Sequence, residues 1–203
     1  MSTGERIDVG ILGATGVVGQ QFVNLLADHP WFRVTWLAAS ERSAGQRYGD
    51  LAWRLPTRLP ADTGALVVSP LAAVEEAPRL LFSALDASVA GEAEVAFAAS
   101  GRHVVSNARN HRMDPLVPLL IPEVNPDHLS LLDAQRRARG WTGSLVTNPN
   151  CSTIMIAMVL AALRPFGPKH HVVCPTQLLH ARYPQSLTLT VTIGCLSTDG
   201  HRR

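Results

Sequence analysis

The chain of 203 residues lacks several features that mark particular classes of protein. Aromatic residues make up 5% and the formal net charge is only +2, so nothing indicates a nucleic-acid or an acidic partner. Three cysteines cannot form a closed disulfide framework, which favours a reducing cytoplasm and allows one reactive thiol. The longest apolar run, Ile154 to Leu163, is too short to span a bilayer, and Glu5 and Asp8 interrupt any signal-peptide pattern. We therefore expect no membrane contact and no metal site.

Short apolar runs alternate along the chain with segments of helical spacing. The predicted strands are Ile7–Leu12, Val34–Ala39, Leu66–Val68, Leu80–Ser83, Val104–Ser106, Leu119–Ile121 and Leu145–Thr147, with a weak strand at Ser186–Ile193. The predicted helices are Gln20–Ala27, Ala87–Ser100 with Asp86 as N-cap, Pro126–Arg139 and Ser152–Leu163. The last of these helices is almost wholly apolar and is expected to be buried. Together the pattern predicts an α/β, Rossmann-like doubly wound fold with a mainly parallel sheet.

A glycine-rich loop follows the first predicted strand. Its spacing, Gly10-x-x-Gly13-x-x-Gly16-x-x-Gly19, lies between a strand and a helix. Gly13 allows the tight turn, Gly16 allows the backbone to approach a pyrophosphate closely, and Gly19 allows the helix to pack on the strand. The free N–H groups and the positive dipole end of the helix would then face the diphosphate. This context predicts a dinucleotide-binding site.

The end of the second predicted strand bears on the choice between NAD and NADP. Ser40 and Ser43 can hydrogen-bond a phosphate, and Arg42 can pair with it, so NADP is favoured. Glu41 leaves the alternative open, because its carboxylate can serve as the acidic residue that binds the ribose 2′-hydroxyl.

A cysteine lies where a strand runs through a turn into the apolar helix. In the segment Thr147 to Thr153, Cys151 is near the helix N-terminus, a position that favours the nucleophilic thiolate. Asn148 and Asn150 can orient a substrate carbonyl or cap the helix. A cysteine nucleophile beside a nicotinamide site predicts hydride transfer through a thioester, whereas Cys174 and Cys195 have no such setting.

Four segments resemble aspartate-semialdehyde dehydrogenases of the archaeal and fungal-like branch. They are GATGVVGQQFVNLLADHPWF, LAASERSAGQRY, SNARNHRMDPLVPLLIPEVNPDHL and TNPNCSTIMIAMVL, and the resemblance covers residues 7 to about 167 in the family's order. The related N-acetyl-glutamyl-phosphate reductases have a cysteine turn that resembles N-P-G-C-Y instead. A malonyl-CoA reductase of the same superfamily is a closer rival, because it shares the motifs of this branch.

The resemblance implies NADP-dependent reductive dephosphorylation of L-aspartyl 4-phosphate to L-aspartate 4-semialdehyde, a step toward lysine, threonine and methionine. It implies a cytoplasmic homo-oligomer that binds this small-molecule substrate and phosphate. Cys151 matches the nucleophile and Asn150 its neighbour, while Asn107 and Arg112 match the site for the substrate's phosphate, with Arg109 as an alternative to Arg112. The positions that match cofactor contacts are Gly13, Thr15, Gly16, Val17, Val18, Ser40, Arg42, Ser43, Ser83 and Asp86.

The resemblance predicts three regions. Residues 1–150 form the NAD(P)-binding domain. Residues 151–167 form the catalytic-cysteine helix, which is the start of a second α+β domain. Residues 168–203 form a divergent tail, in which Val172 to Gln177 is faintly similar to a strand of the family. The family's acid/base histidine has no match here, so we expect a truncated or altered product with impaired oligomerisation. The alternative is a non-catalytic remnant that only binds NADP.

Overall fold

The computed structural model describes residues 6–163 and the backbone of residues 172–176 and 187–191. The chain divides into two units, Met1–Pro149 and Asn150–Arg203.

A six-stranded parallel sheet organises the first unit. Its strands are β1 (Ile7–Leu12), β2 (Phe32–Ala39), β3 (Val68–Pro70), β4 (Leu80–Ser83), β5 (His103–Ser106) and β6 (Ser144–Thr147). Their spatial order is β3-β2-β1-β4-β5-β6, and every neighbouring pair is parallel. The order reverses between β1 and β4, where open sheets of this kind bind ligands beyond the carboxyl ends of their strands. The expected doubly wound, mainly parallel α/β fold is confirmed.

Five helices lie between and after these strands in the described part of the chain. They are α1 (Val17–Leu26), the single turn α2 (Ala61–Gly64), α3 (Ala87–Ala99), α4 (Leu131–Arg139) and α5 (Cys151–Ala162). Asp86 caps α3 as expected, since its Oδ1 accepts a hydrogen bond of 2.9 Å from the backbone N–H of Ser88. Gly140 ends α4 in the left-handed conformation, at φ 66°, which glycine adopts without steric cost.

Both faces of the sheet are buried, which explains why the strands are apolar runs rather than alternating patterns. Val9 and Ile11 of β1 pack in one cluster with Val23 of α1. Leu12 of β1 packs in the other cluster with Phe97 of α3.

The structure corrects several boundaries in the first unit. Strand β2 begins at Phe32 rather than at Val34, and α4 begins at Leu131 because Pro126–Ser130 form a 3-10 helix. Helix α1 begins at Val17 rather than at Gln20. Strand β3 begins at Val68, because Val67 is instead in an antiparallel bridge to Arg47. The predicted strand at residues 119–121 is reduced to a single bridge between Leu119 and Thr147.

The second unit contains α5 and a two-stranded antiparallel sheet. Strand β7 (Val172–Thr176) pairs with β8 (Leu187–Val191), which confirms in shorter form the strand expected at 186–193. The prediction that the apolar helix is buried was wrong. No residue of α5 is buried, and Met155 and Val159 are 66% and 63% exposed. Among the residues that the structure describes, no helix is both long and apolar enough to cross a membrane.

Candidate functional site

The loop between β1 and α1 is a tight turn held by the neighbouring strand. Gly13 has a φ of 76°, and its N–H and that of Ala14 both donate to the carbonyl of Ala38, at 2.8 and 3.1 Å. A Cβ atom on Gly13 would lie 2.7 Å from the carbonyl oxygen of Ala84, so both the dihedral angle and the space require glycine here. The loop is therefore fixed against β2 and against the segment after β4.

The N-terminus of α1 has no side-chain cap. Gly16 is the N-cap residue, and the first turn of the helix contains no acidic residue. Asp86 and Asn150, in contrast, cap α3 and α5 with their side-chain oxygens. The first N–H groups of a helix need acceptors from outside it, and the helix dipole makes this end positive. The first turn of α1 is thus suited to an anionic group such as a diphosphate.

A cleft of about 720 Å³ lies beside this turn, at the carboxyl ends of β1, β2 and β4. Its volume is in the range of small-molecule sites. Seven of the ten predicted cofactor-binding positions line it, namely Gly13, Thr15, Gly16, Val17, Val18, Ser40 and Asp86. Six further residues line the cleft: Glu41, the alternative acidic residue; Ala84 and Leu85, between the predicted positions Ser83 and Asp86; and Ala39, Leu71 and Val89, which the sequence reasoning missed. These missed residues are apolar and carry no motif of their own.

Two of the remaining predicted positions lie in the loop after β2 but do not line the cleft. The N–H of Ser43 donates to the carbonyl of Ser40 at 2.9 Å, and the side chain of Gln46 donates to the carbonyl of Arg42 at 2.7 Å. Ser40 and Glu41, by contrast, line the cleft. The structure therefore places Glu41, the alternative acidic residue, in the cleft. Arg42 follows it directly, in a turn held by hydrogen bonds.

Ser83 is fully buried and also lies outside the cleft. Its hydroxyl donates to Oε1 of Glu94 at 2.6 Å, and the hydroxyl of Ser106 donates to the same oxygen at 2.7 Å. Burial raises the pKa of Glu94, and the two serine hydrogen bonds only partly oppose this. Its Oε2 is buried without a hydrogen-bond partner among the described residues. Glu94 thus joins the ends of β4 and β5, and the residues after Ser83, not Ser83 itself, reach the cleft.

The two predicted phosphate-binding residues lie together beyond β5 and β6. Nε of Arg112 donates to the carbonyl of Asn148 at 2.9 Å, and its Nη2 donates to the carbonyl of Asn107 at 2.8 Å. The side chains of Asn148 and Asn107 are joined by a hydrogen bond of 2.6 Å. The guanidinium therefore connects the chain segments that leave two adjacent strands. Arg109, the alternative to Arg112, instead lines a second cavity of about 660 Å³ at the N-terminus of α3.

An ion pair and a buried amide hold the segment that carries Arg112. Asp114 pairs with Arg139, and its Oδ1 accepts from the N–H of Leu116 at 2.9 Å. Burial alone would raise the pKa of Asp114, but the Leu116 N–H and the Arg139 guanidinium outweigh it and the pKa is lowered. Gln135 is fully buried and donates to the carbonyls of Leu116 and Leu145, both at 3.0 Å. The loop that carries Arg112 is thereby fastened to α4 and to the edge strand β6.

Cys151 is the first residue of α5 and is exposed. Oδ1 of Asn150 accepts from the backbone N–H of Ser152 at 3.0 Å and lies 3.8 Å from Sγ of Cys151. Asn150 is therefore the helix cap, and Asn148, the other candidate cap, bonds Asn107 instead. An accessible thiol at the start of a helix is suited to act as a nucleophile.

In the part of the chain that the structure describes, no group of three or more His, Cys, Asp or Glu side chains is placed to hold a metal ion.

Comparison with known proteins identifies the family. The model of the semialdehyde dehydrogenase NAD binding domain matches residues 8–132. An aspartate-semialdehyde dehydrogenase of Archaeoglobus fulgidus is 44% identical over 189 residues, which cover 92% of this chain and 55% of that protein. The structure of aspartate semialdehyde dehydrogenase with NADP from Candida albicans has a TM-score of 0.71 and 38% identity, covering 81% of this chain and 48% of that one.

The malonyl CoA reductase (NADP) of Metallosphaera sedula is also similar, with 38% identity over 159 residues, 77% of this chain and 44% of that protein. The chain spans about half the length of the curated relatives it matches. The family model nevertheless spans more than half of the chain, and the chain therefore belongs to the semialdehyde dehydrogenase family, whose NAD binding domain it contains.

Proposed function

We propose that this chain takes part in the NADP-dependent reductive dephosphorylation of L-aspartyl 4-phosphate to L-aspartate 4-semialdehyde, through a thioester on Cys151. The observation that carries the proposal is the cleft at the β1/β4 reversal, beneath an uncapped helix N-terminus. Relatives from archaea and fungi, named as aspartate-semialdehyde dehydrogenases, support the choice of reaction.

The residues present fit a dinucleotide. The nearest atom to a Cβ atom added at Gly16 would be the carbonyl oxygen of Gly13, 3.5 Å away. The space beside the backbone of Gly16 is therefore open, and a ligand can approach the uncapped turn there. The loop from Gly13 to Val18 would hold the diphosphate, and Ser40 with Arg42 would hold the 2′-phosphate. When bound, the nicotinamide supplies the hydride that reduces the thioester.

Glu41 in the cleft favours NAD, but two matched proteins carry NADP in their names. We therefore propose NADP. Within the described residues, the hydrogen bond to Arg42 is one that its backbone carbonyl accepts from Gln46, which leaves the guanidinium able to turn toward a 2′-phosphate next to Ser40.

The chain's own residues act on the acyl phosphate and its phosphate group. Sγ of Cys151 forms a bond to the acyl carbon, and the bond from that carbon to the phosphate oxygen breaks, leaving a thioester and free phosphate. Asn107 and Arg112 would bind the phosphate, since a planar guanidinium matches phosphate geometry. The carbonyls of Asn107 and Asn148 orient the guanidinium, so it does not need to be ordered when the substrate binds.

Malonyl-CoA is the second candidate substrate, because one matched relative is a malonyl CoA reductase. Its thioester would be exchanged onto the same Cys151 with loss of coenzyme A. This route needs no phosphate site, so the paired Asn107 and Arg112 favour the first proposal.

A paired assay on the full chain tests the proposal. Calorimetry measures NADPH binding, and absorbance at the nicotinamide band follows phosphate-dependent NADP reduction with aspartate semialdehyde. We expect binding, and turnover that Cys151→Ser abolishes and Cys174→Ser preserves. Binding without turnover supports the NADP-binding remnant, turnover with malonyl-CoA alone supports the second candidate, and absence of binding overturns the assignment of the cleft.

We extend the proposal to the partners and location that the family resemblance implies. The chain would bind small molecules and work in the cytoplasm, and its association with copies of itself would be weaker than the homo-oligomer that the resemblance implies. Light scattering of the purified chain measures the association, and fractionation of cells that express it measures the location.

A further inference from the structure

Tyr48 joins two loops that border the cleft. Its ring is 2% exposed, and its hydroxyl donates a buried hydrogen bond of 2.7 Å to the carbonyl of Ala14. Ala14 belongs to the glycine loop and is itself fully buried. The ring also packs edge-on against Trp53, with centroids 6.4 Å apart. The hydroxyl is therefore held at one place by packing as well as by its acceptor.

Tyr48 lies two residues after the second loop, which runs from Ser40 to Gln46, and begins a 3-10 turn, Tyr48–Asp50. The loop from Ser40 to Gln46 folds back along the segment before and within β3. Gly45 donates to Val68 at 2.8 Å, Val68 donates to Gln46 at 2.9 Å, and the N–H of Tyr48 donates to Leu66 at 2.8 Å. Because Tyr48 and this loop are hydrogen-bonded to the same segment, a movement of the loop would shift Tyr48 and, through its hydroxyl, Ala14 of the glycine loop.

We propose that Tyr48 is a positioning residue which fixes the spacing between the glycine loop and the loop after β2, so that one phosphorylated dinucleotide engages both loops at once. The inference rests on the proposed NADP site. A ligand of this class carries a diphosphate and a separate ribose phosphate at a set distance, so loops already held at that distance bind it without an ordering cost.

The chemistry of the link suits this role. A phenol is a neutral donor on a stiff side chain with few rotatable bonds. Burial raises the pKa of Tyr48 above its usual range, so the hydroxyl keeps its proton under all working conditions. Without the hydroxyl, the buried carbonyl of Ala14 loses this donor, and the backbone hydrogen bonds from Gly13 and Ala14 to Ala38 remain between the glycine loop and β2.

Tyr48→Phe tests the inference, because it keeps the ring and its packing on Trp53. Calorimetry measures the Kd of NADPH, which spans both loops, and of adenosine 2′-monophosphate, which reaches only the loop after β2. We expect the variant to bind NADPH about tenfold more weakly, the equivalent of one net hydrogen bond, and to bind the monophosphate within about twofold of the parent. Equal losses for both ligands, or no loss for either, would overturn the proposal.

Gln20→Met is the matched control. Gln20 is 1% exposed, donates to the carbonyl of Ala52 and accepts from the N–H of Arg54, both at 2.8 Å, and lines no part of the cleft. It should lower the stability of the fold while keeping the ratio of the two Kd values. A parent chain that binds no NADPH would refute the proposed function itself, which separates that failure from failure of the Tyr48 link.

A measurement on the parent chain tests the coupling without any substitution. Inorganic pyrophosphate at the glycine loop should slow amide hydrogen exchange at Gly45 and Val68, which close the other loop. Unchanged exchange at both amides under saturating pyrophosphate contradicts the coupling, even if the variant does not fold.

Discussion

Gly16 and Gly19 lie three residues apart at the start of α1, but a methyl group added to each would meet different surroundings. At Gly19 the new Cβ would overlap the carbonyl oxygen of Gly13 and lie 2.8 Å from Cα of Ala14. Both are backbone atoms of a turn that two hydrogen bonds hold to Ala38, so the overlap cannot be relieved by a side-chain rotation. At Gly16 the nearest atom is 3.5 Å away, an ordinary contact.

These distances give different expectations for stability. Overpacking costs roughly 1–3 kcal/mol, which exceeds the 0.4–1 kcal/mol or so that an alanine gains by restricting the unfolded chain. Gly19→Ala should therefore lower the free energy of unfolding by about 1–2 kcal/mol, or Tm by roughly 2–8 °C at this chain length. In Gly16→Ala, alanine is a poorer N-cap than glycine, but it also restricts the unfolded chain and so stabilises the fold. The two effects are of similar size, so the free energy of unfolding should stay within about 0.5 kcal/mol of the parent.

Ligand binding should show the opposite order. The methyl group at Gly16 would stand where a diphosphate approaches the helix, and an overlap of about 1–3 kcal/mol weakens binding roughly 5- to 150-fold. Urea denaturation followed by circular dichroism measures stability, and quenching of intrinsic fluorescence measures the Kd of NADPH. Parent-like binding by Gly16→Ala would refute the close approach at this residue. Parent-like stability of Gly19→Ala would refute the packing argument.

Three further predictions concern side chains around the same strand ends. Because the folded-state pKa of Glu94 is raised from about 4.5, the folded chain keeps a proton that the unfolded chain loses, so the parent loses stability as pH rises from about 4.5 through the raised value. The urea midpoint of Glu94→Gln should therefore rise relative to that of the parent as the pH rises through that window. A difference between the two midpoints that does not change with pH would contradict this. Arg42→Ala should weaken NADPH binding about tenfold and leave NADH binding unchanged in calorimetry, with the exposed Arg58→Ala as control. Arg112→Lys should weaken binding of inorganic phosphate about tenfold and Arg109→Lys should not, because only Arg112 has its planar fork held by two carbonyls.

Local patterns predicted the strands well where both faces are buried. β1 and β4 begin and end at the predicted residues, and both are short apolar runs with fully buried residues inside them. The start of α1 was missed since Val17 and Val18 are half-exposed and carry no periodic signal. β3 was placed early because an apolar pair such as Leu66 and Val67 fits a parallel strand and an antiparallel return equally well.

The site was predictable where a motif is local and not where it depends on distant partners. The glycine loop combines its turn and its helix within a few residues, so its position could be predicted from the spacing together with the strand before it and the helix after it. Ser83 was assigned to the cofactor from its place at a strand end, but its direction depends on Glu94, eleven residues later. Tyr48 carries no motif, and its partner Ala14 is 34 residues away.

Several buried polar side chains of the first unit connect helices or loops to the strands: Ser83, Ser106 and Thr147 are the last residues of their strands, and Glu94 and Gln135 reach strands from helices. Glu94 joins the ends of β4 and β5, Gln135 pairs with the edge of β6, and Tyr48 holds the glycine loop. Buried polar groups are costly unless they are hydrogen-bonded, and apolar packing alone fixes position less uniquely. Apolar contacts can align strands, but they cannot satisfy the main-chain groups that become free where a strand stops. The polar links satisfy those groups and fix the loops together, so the carboxyl edge of the sheet is formed before any ligand binds.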